Sequence, residues 1–371
     1  MTSDPIYLDY NATAPLRPAA QHAMMDAMGP PGNPSSVHHQ GQKARAIVEL
    51  AREQVAKLAD ADPASVIFTS GGTEANWQAL HGFSDRMIIT TPVEHMAVLS
   101  AAPDALLIDV DADGVIDLNH LEHLLKTYKD NALISVMTAN NETGVIQPLD
   151  QVVELARAYG ALVHSDAVQS FGKGDANGCA GLRASGVDML TISAHKIGAA
   201  TGIGALLVRE GLVIPPLIAG GGQESRRRGG TENLIGIAGF GAAASDIMDS
   251  GTAWLDQLAK WHQWLEDQIS TQAPDAVIFG KAAKRLVNTS AIAMPGRRAE
   301  TQIMQLDLAG IAVSAGAACS SGKVANSHVL AAMGAGDLAH QTIRVSSGWN
   351  SKQSDFERFF EIWLQVYKNK V

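Results

Sequence analysis

Apolar residues in the first two thirds of the chain fall in short runs, separated by longer segments with helical spacing. The short runs predict strands at Val66–Thr69, Met87–Thr90, Ala105–Val110, Leu133–Thr138, Ala161–His164, Met189–Ser193 and Ile203–Val208. Between them, helical periodicity predicts helices over Gly41–Leu58, Thr73–His81, His95–Ala101, Leu118–Tyr128 and Leu149–Tyr159. Strands that alternate with helices predict an α/β fold with a mostly parallel sheet covered on both faces. A Gly/Arg-rich loop follows at Gly220–Gly230, then helices near Ile235–Met248 and Trp254–Ile269. The last hundred or so residues change character, with strands expected at Asn288–Ala293, Ile311–Ser314 and Thr342–Ser346 and helices at Thr301–Leu308 and Ser354–Tyr367. That pattern predicts a smaller α+β domain. The expected division is a large domain over residues 12–250 and a small one made of residues 1–11 and 251–371.

Composition sharpens this picture modestly. Hydrophobic residues make up 46% of the 371-residue chain and charged residues 18%, the latter below the roughly 25% usual for soluble proteins. Much buried surface is expected, including a subunit interface. A formal charge of −10 excludes the whole chain as an electrostatic partner for nucleic acid. The two cysteines, Cys179 and Cys319, are too few for a disulfide framework and suit a reducing compartment. The start, Met1-Thr2-Ser3-Asp4-Pro5, lacks a basic and apolar leader, so a soluble cytoplasmic protein is the expectation.

Chemistry enters with two strand ends. The run Leu190–Ser193 leads through Ala194-His195 to Lys196, and the run Leu162–Ser165 ends in Asp166. A lysine able to condense with an aldehyde, beside a carboxylate able to keep a pyridine nitrogen protonated, is what pyridoxal phosphate (PLP) chemistry needs. The bland alternative is a surface lysine after a buried strand and an aspartate capping a helix. Val66–Thr69 runs into Ser70-Gly71-Gly72-Thr73-Glu74, a strand, glycine turn and helix start suited to an anion, with Gly72 letting backbone approach and Thr73 adding a hydroxyl. Many α/β proteins turn this way for steric reasons alone. Ser193 and His195 flank the lysine as further phosphate donors, and Gln169 is placed to reach a phenolic oxygen. Asn140-Asn141 follows a parallel strand, where ligands bind or where an Asx turn is simply convenient. His95 opens a helix as a neutral acid/base or a structural histidine. Arg344, amid β-formers, is either a structural cation or a carboxylate clamp. Cys319 sits among Ser, Ala and Gly in a loop suited to a reactive thiol, whereas Cys179 has no other candidate group nearby. Arg226-Arg227-Arg228 lacks interleaved aromatics and reads as an anion-facing or interface loop. No HExxH or CxxC spacing supports a metal held by the protein alone.

These motifs in this order resemble the cysteine desulfurases, class-V aminotransferase relatives of the fold-type-I PLP enzymes. The resemblance runs through Tyr7–Thr13, Gly32–Ser36, Thr69–Glu74, Glu94-His95, Asn140–Gly144, His164–Gln169, Ser193–Lys196 and the loop ending in Thr231, and Ser314–Ser321 is similar to the nitrogen-fixation and housekeeping branch. It implies that Lys196 carries the cofactor, Asp166 pairs with its ring nitrogen, and Gln169 and Asn141 contact ring oxygen and substrate. It further implies that His95 stacks on the ring, that Gly72, Thr73, Ser193 and His195 hold the phosphate, and that Thr231 reaches it from a second subunit of a homodimer. Arg344 would bind the carboxylate of L-cysteine, and Cys319 would take its sulfur as a persulfide, leaving L-alanine. The sulfur would pass to an acceptor protein: an iron–sulfur scaffold, a nitrogenase-type assembly protein or a tRNA-thiolation partner. An iron–sulfur cluster shared with such a partner through Cys319 is the one metal contact left open. The alternatives are a selenocysteine lyase, a related aminotransferase, or a non-catalytic PLP-fold interaction protein. Where relatives carry a Tyr-Gly-Pro-Lys-type loop after the lysine, this chain has Gly198-Ala199-Ala200-Thr201, and its tail after the last helix is short.

Overall fold

The computed structural model describes residues 5–29, 31–173, 181–316 and 327–369. Twelve strands are formed among them: β1 (Ile6–Tyr7), β2 (Val66–Thr69), β3 (Met87–Thr90), β4 (Leu106–Leu107), β5 (Ala132–Ser135), β6 (Leu162–Asp166), β7 (Met189–Ser193), β8 (Gly204–Val208), β9 (Val277–Phe279), β10 (Thr289–Ala293), β11 (Ile311–Ala312) and β12 (Thr342–Ser346). Seven build one sheet in the order β2-β8-β7-β6-β5-β3-β4. Pairing is parallel from β7 through β6, β5 and β3 to β4, and β8, between β2 and β7, alone runs opposite to the other six. The α/β expectation therefore holds. Near-continuous burial of β2, β5, β7 and β8 explains why those strands are apolar throughout rather than alternating.

The helices are α1 (Pro18–Ala27), α2 (His39–Leu58), α3 (Gly72–His81), α4 (Met96–Ala101), α5 (Leu118–Tyr128), α6 (Leu149–Ala158), α7 (Leu182–Ser185), α8 (Leu234–Ser250), α9 (Ala253–Gln272), α10 (Ala299–Leu308), α11 (His328–Ala332) and α12 (Gln353–Lys368). Helices α1 and α2 both pack on α8. Close approach there needs glycine: a Cβ on Gly241 would lie 2.5 Å from the Ala51 Cα. Helix α1 lies outside the sequence expectation because it buries little beyond Ala20 and so carries no clear apolar stripe.

Strands β4 and β5 are shorter than expected, each for a local reason. Strand β4 stops at Leu107, and shortly beyond it the Asp111 carboxylate accepts the Asp113 and Val115 N–H groups at 2.9 Å, closing a turn. Strand β5 ends at Ser135, yet the Thr138 N–H still donates to the Asp166 carbonyl at 2.9 Å, so the apolar run continues beside β6 without a regular ladder.

A second group of strands stands apart. Strands β12, β10 and β9 form an antiparallel sheet, and β1 pairs with β11 in parallel. Its core is a separate cluster that includes Leu8, Leu265, Ile292, Ile343, Phe356, Phe359 and Trp363. The main cluster joins α2 and α8 to the large sheet through residues such as Val55, Phe68, Ile134, Ile192 and Phe240.

Candidate active site

A cavity of about 420 Å³ opens at the carboxyl ends of β6 and β7, where open parallel sheets bind ligands. Asp166 is the last residue of β6 and Ser193 the last of β7, and His195 and Lys196 sit in the 3₁₀ turn Ala194–Ile197 that follows. Gly72 and Thr73 open α3, and His95 caps α4. All seven line the cavity, with Asn141, Gln169 and Arg344.

Lys196 Nζ donates to the carbonyls of Asn11 at 2.6 Å and Ala12 at 2.9 Å. Burial, reinforced by the Arg344 charge, lowers its pKa to about 8 against the pull of Asp9 and Asp166. The Asp166 carboxylate accepts from Asn76 Nδ2 at 2.7 Å and from the Val168 N–H at 2.9 Å, which fixes its plane at the cavity floor. His95 Nδ1 accepts the Ala97 N–H at 3.1 Å. Its proton therefore sits on Nε2, and desolvation by the cavity walls lowers its pKa. His195 is lowered to about 4 by burial and by Lys196 and Lys173, and its Nδ1 lies 3.1 Å from the Thr13 hydroxyl.

Arg344 reaches the cavity from β12. It donates Nη2–H to Asp9 Oδ1 at 2.7 Å and Nη1–H to the Asn141 carbonyl at 3.1 Å. Its Nε is buried with no hydrogen-bond partner among the described residues.

The two adjacent asparagines have different work. Asn140 closes an Asx turn, its Oδ1 accepting the Glu142 and Thr143 N–H groups at 2.8 and 3.0 Å. Asn141 faces the cavity. The arginine triplet likewise divides: Arg228 pairs with Glu74 in the first turn of α3 at 2.8 Å, and Arg227 donates to the Ala64 carbonyl at 2.8 Å. Thr231 is exposed and does not line this cavity. Cys319 and Cys179 lie outside the described residues. Among the described residues no group of three or more His, Cys, Asp or Glu is arranged to hold a metal ion, and no helix is long and apolar enough to cross a membrane.

Four polar cavity residues were not singled out from sequence: Asn11, Asn76, Glu142 and His328. Asn76 was detectable, since it lies one helical turn after Gly72 and Thr73. Glu142 is buried, with its pKa raised by that burial, and accepts the Ser327 hydroxyl at 2.5 Å. His328 Nε2 lies 2.8 Å from the Glu94 carbonyl. Nothing local announces either contact, because each joins residues far apart in the chain.

The Gly198 loop has its own solution to rigidity. Gly198 is left-handed at φ +85°, and a Cβ there would meet the Arg17 Cγ at 2.8 Å and the Pro15 carbonyl at 2.9 Å. Arg17 donates Nε–H to the Ile197 carbonyl at 2.9 Å and pairs with Asp246 at 2.6 Å. The turn behind Lys196 is thus braced from α1 and α8.

The sequence profile of the class-V aminotransferases matches residues 6–359. The chain is 37% identical to the cysteine desulfurase IscS of Dictyoglomus turgidum over 97% of this chain and 94% of that one. It is 40% identical to a cysteine desulfurase of Cereibacter sphaeroides over 96% of this chain and 94% of the relative. A NifS-like protein from Rickettsia africae superposes with a TM-score of 0.90 at 34% identity, covering 98% of this chain and 99% of that one. With the lysine, the aspartate and the anion cradle converging on one cavity, the chain belongs to the class-V aminotransferases, a family of PLP-dependent enzymes, and within it to the cysteine desulfurases.

Proposed function

We propose that the Lys196 cavity holds PLP and L-cysteine and that Cys319 takes the sulfur. The observation that carries this reading is the convergence of Lys196, Asp166 and Arg344 on one cavity. The donor set fits the cofactor. A carboxylate anchored by two N–H donors suits a protonated ring nitrogen, while the first turn of α3, Thr73 and Ser193 offer N–H and hydroxyl donors for a phosphate. Thr231 of a second copy would complete that phosphate site in a homodimer.

Bound there, PLP supplies an aldehyde for amines and a ring that accepts the electron pair left at Cα. Lys196, with its pKa lowered to about 8, is close enough to neutral pH to act as a base toward the Cα proton. Asp166 holds the proton at the ring nitrogen. His95, which lines the cavity with its proton on Nε2, would lie against the cofactor and could exchange protons with the substrate. Arg344, which lines the cavity, would align the substrate carboxylate with its guanidinium charge. The Cys319 thiolate attacks the substrate sulfur: the Cβ–S bond breaks, a sulfur–sulfur bond forms, and Cβ gains a proton. L-cysteine and one enzyme thiol become L-alanine and one enzyme persulfide, with nothing left over.

The persulfide then passes to an acceptor protein, for iron–sulfur cluster assembly. The same reading treats residues 12–250 as the cofactor domain and residues 1–11 and 251–371 as the domain that carries the cysteine; the main cluster and that around Trp363 each stay within one of these units, while a smaller one joins Val93 to Phe279 and Ala291 across the division. It places the protein in the cytoplasm, where two cysteines stay reduced. The test is direct. Borohydride reduction and peptide mapping should place the cofactor on Lys196, and Cys319→Ala should stop alanine formation while PLP stays bound. Normal turnover by that variant would remove the persulfide step.

A further inference from the structure

A second lysine lies close to Lys196, and nothing in the reaction above uses it. Lys173 is 7% exposed, and its Nζ donates to Gln169 Oε1 at 3.0 Å and to Asn11 Oδ1 at 3.3 Å. The irregular turn after β6 presents the two side chains together: the Phe171 N–H donates to the Ala167 carbonyl at 2.8 Å and the Lys173 N–H to the Ser170 carbonyl at 2.9 Å. Gln169 is itself 5% exposed, lines the cavity, and donates Nε2–H to the Asn11 carbonyl at 3.0 Å. That carbonyl is the one Lys196 Nζ holds at 2.6 Å.

Donor and acceptor chemistry makes this arrangement directional. An ammonium group only donates, so it bonds the amide oxygen and never the amide nitrogen. A backbone carbonyl only accepts, so the nitrogen must face Asn11. Both constraints select one orientation of an amide that otherwise turns over with little change in shape. We propose that Lys173 is a positioning residue that sets the Gln169 amide so that the cavity meets an N–H donor and never a carbonyl oxygen. Resting on the reading that PLP occupies this cavity, the consequence is that the ring oxygen finds a donor there. A reversed amide would place two acceptors face to face. Asn11 completes the device, its backbone carbonyl serving Gln169 and Lys196 while its side chain serves Lys173.

The experiment uses the PLP-loaded protein and reads PLP retention on dialysis together with the position of the visible absorption band. Lys173→Met, which cannot donate, should weaken retention by about ten-fold and move the band, because Gln169 Oε1 loses the donor that opposes the reversed amide. Lys173→Gln, whose NH₂ can still donate to Gln169 Oε1, should keep retention within about two-fold and the band in place. On a Gln169→Leu background, Lys173→Met should add nothing. The inference is overturned if Lys173→Met leaves the band unmoved, if Lys173→Gln behaves like Lys173→Met, or if the effect persists without Gln169. Should Lys173→Met fail to fold, Lys173→Gln decides alone: retention within two-fold supports the role and a ten-fold loss ends it. A wild-type protein that takes up no PLP sinks the reading of the cavity as well, whereas a loaded wild type with an indifferent Lys173→Met sinks this inference alone.

Discussion

The two sides of the cavity are built differently. On the sheet side, Asp166, Ser193, His195 and Lys196 stand at or just past strand ends, and backbone geometry places them. On the facing side, Asn11, Arg344 and His328 arrive from opposite ends of the chain, held by side-chain bonds that span 130 to 335 residues. The difference teaches a division of labour. On the proposed reading, the rigid parallel sheet carries the groups that would hold the cofactor in one pose, while Arg344 across from it would meet substrate and could be displaced without dismantling the cofactor site.

Breaking the sheet side should therefore be the costlier change. Lys196→Ala is expected to lower kcat by more than about 10³-fold, since on the proposed reading one group both anchors the cofactor and serves as base. Borohydride would then trap no adduct, and added amines would restore part of the rate. Asp166→Asn keeps an oxygen for Asn76 or Val168 but gives up the charge, and should cost about 10²-fold in kcat with PLP still bound. Single-turnover kinetics followed at the cofactor band would check both. Equal losses from either side of the cavity would refute the division.

The facing side should fail through binding. Arg344→Gln leaves Asp9 without its cation and would leave the substrate carboxylate without its proposed clamp. At roughly 1.5–3 kcal/mol for a charged hydrogen bond, KM for cysteine should rise about ten- to a hundred-fold. Retention of PLP should change little, and a steady-state KM against kcat split reads the outcome. A variant that loses its cofactor instead would show that Arg344 supports the cofactor site.

The same division explains what was legible in the sequence. Strand ends announce themselves as an apolar run followed by a polar residue, so Asp166 and Lys196 could be read directly. Gly72 and Thr73 followed from the glycine turn before a helix. Arg344 was visible only as an arginine among β-formers, and its meeting with Asp9 at 2.7 Å depends on β12 lying beside the N-terminal segment. That adjacency, an isolated bridge between Asp9 and Ser346, has no local sequence signature. Asn11 was readable only as part of a motif, because its role comes from a convergence of partners on Ser346, Thr289 and Asn288. Helix α1 was missed for a related reason, as its packing on α8 relies on small residues rather than on an apolar stripe.

Each region also hides one histidine, and these sharpen the comparison through stability rather than rate. His164, on the sheet side, sits between the Ser135 and Thr191 hydroxyls at 2.9 and 3.0 Å. His262, in the second core, sits between Ser290 and Ser347 at 2.9 and 2.8 Å. Burial lowers both to about 3. Unfolded histidine titrates near 6.5, so below that pH the unfolded chain binds protons that the native state refuses. Stability is then fully present above about pH 6.5 and falls as pH drops toward 3. Each histidine should contribute a loss of about 1.4 kcal/mol per pH unit across that window. Urea unfolding between about pH 7 and 5 would measure the slope. Replacing either histidine with glutamine, which keeps hydrogen-bonding capacity without the titration, should remove its share of that slope. Because the two cores are separate clusters, the effects of the two substitutions should add to within about 0.5 kcal/mol. A double variant that departs clearly from additivity would mean that the two regions unfold as one tightly coupled unit, and that the division seen at the cavity does not extend to the cores beneath it.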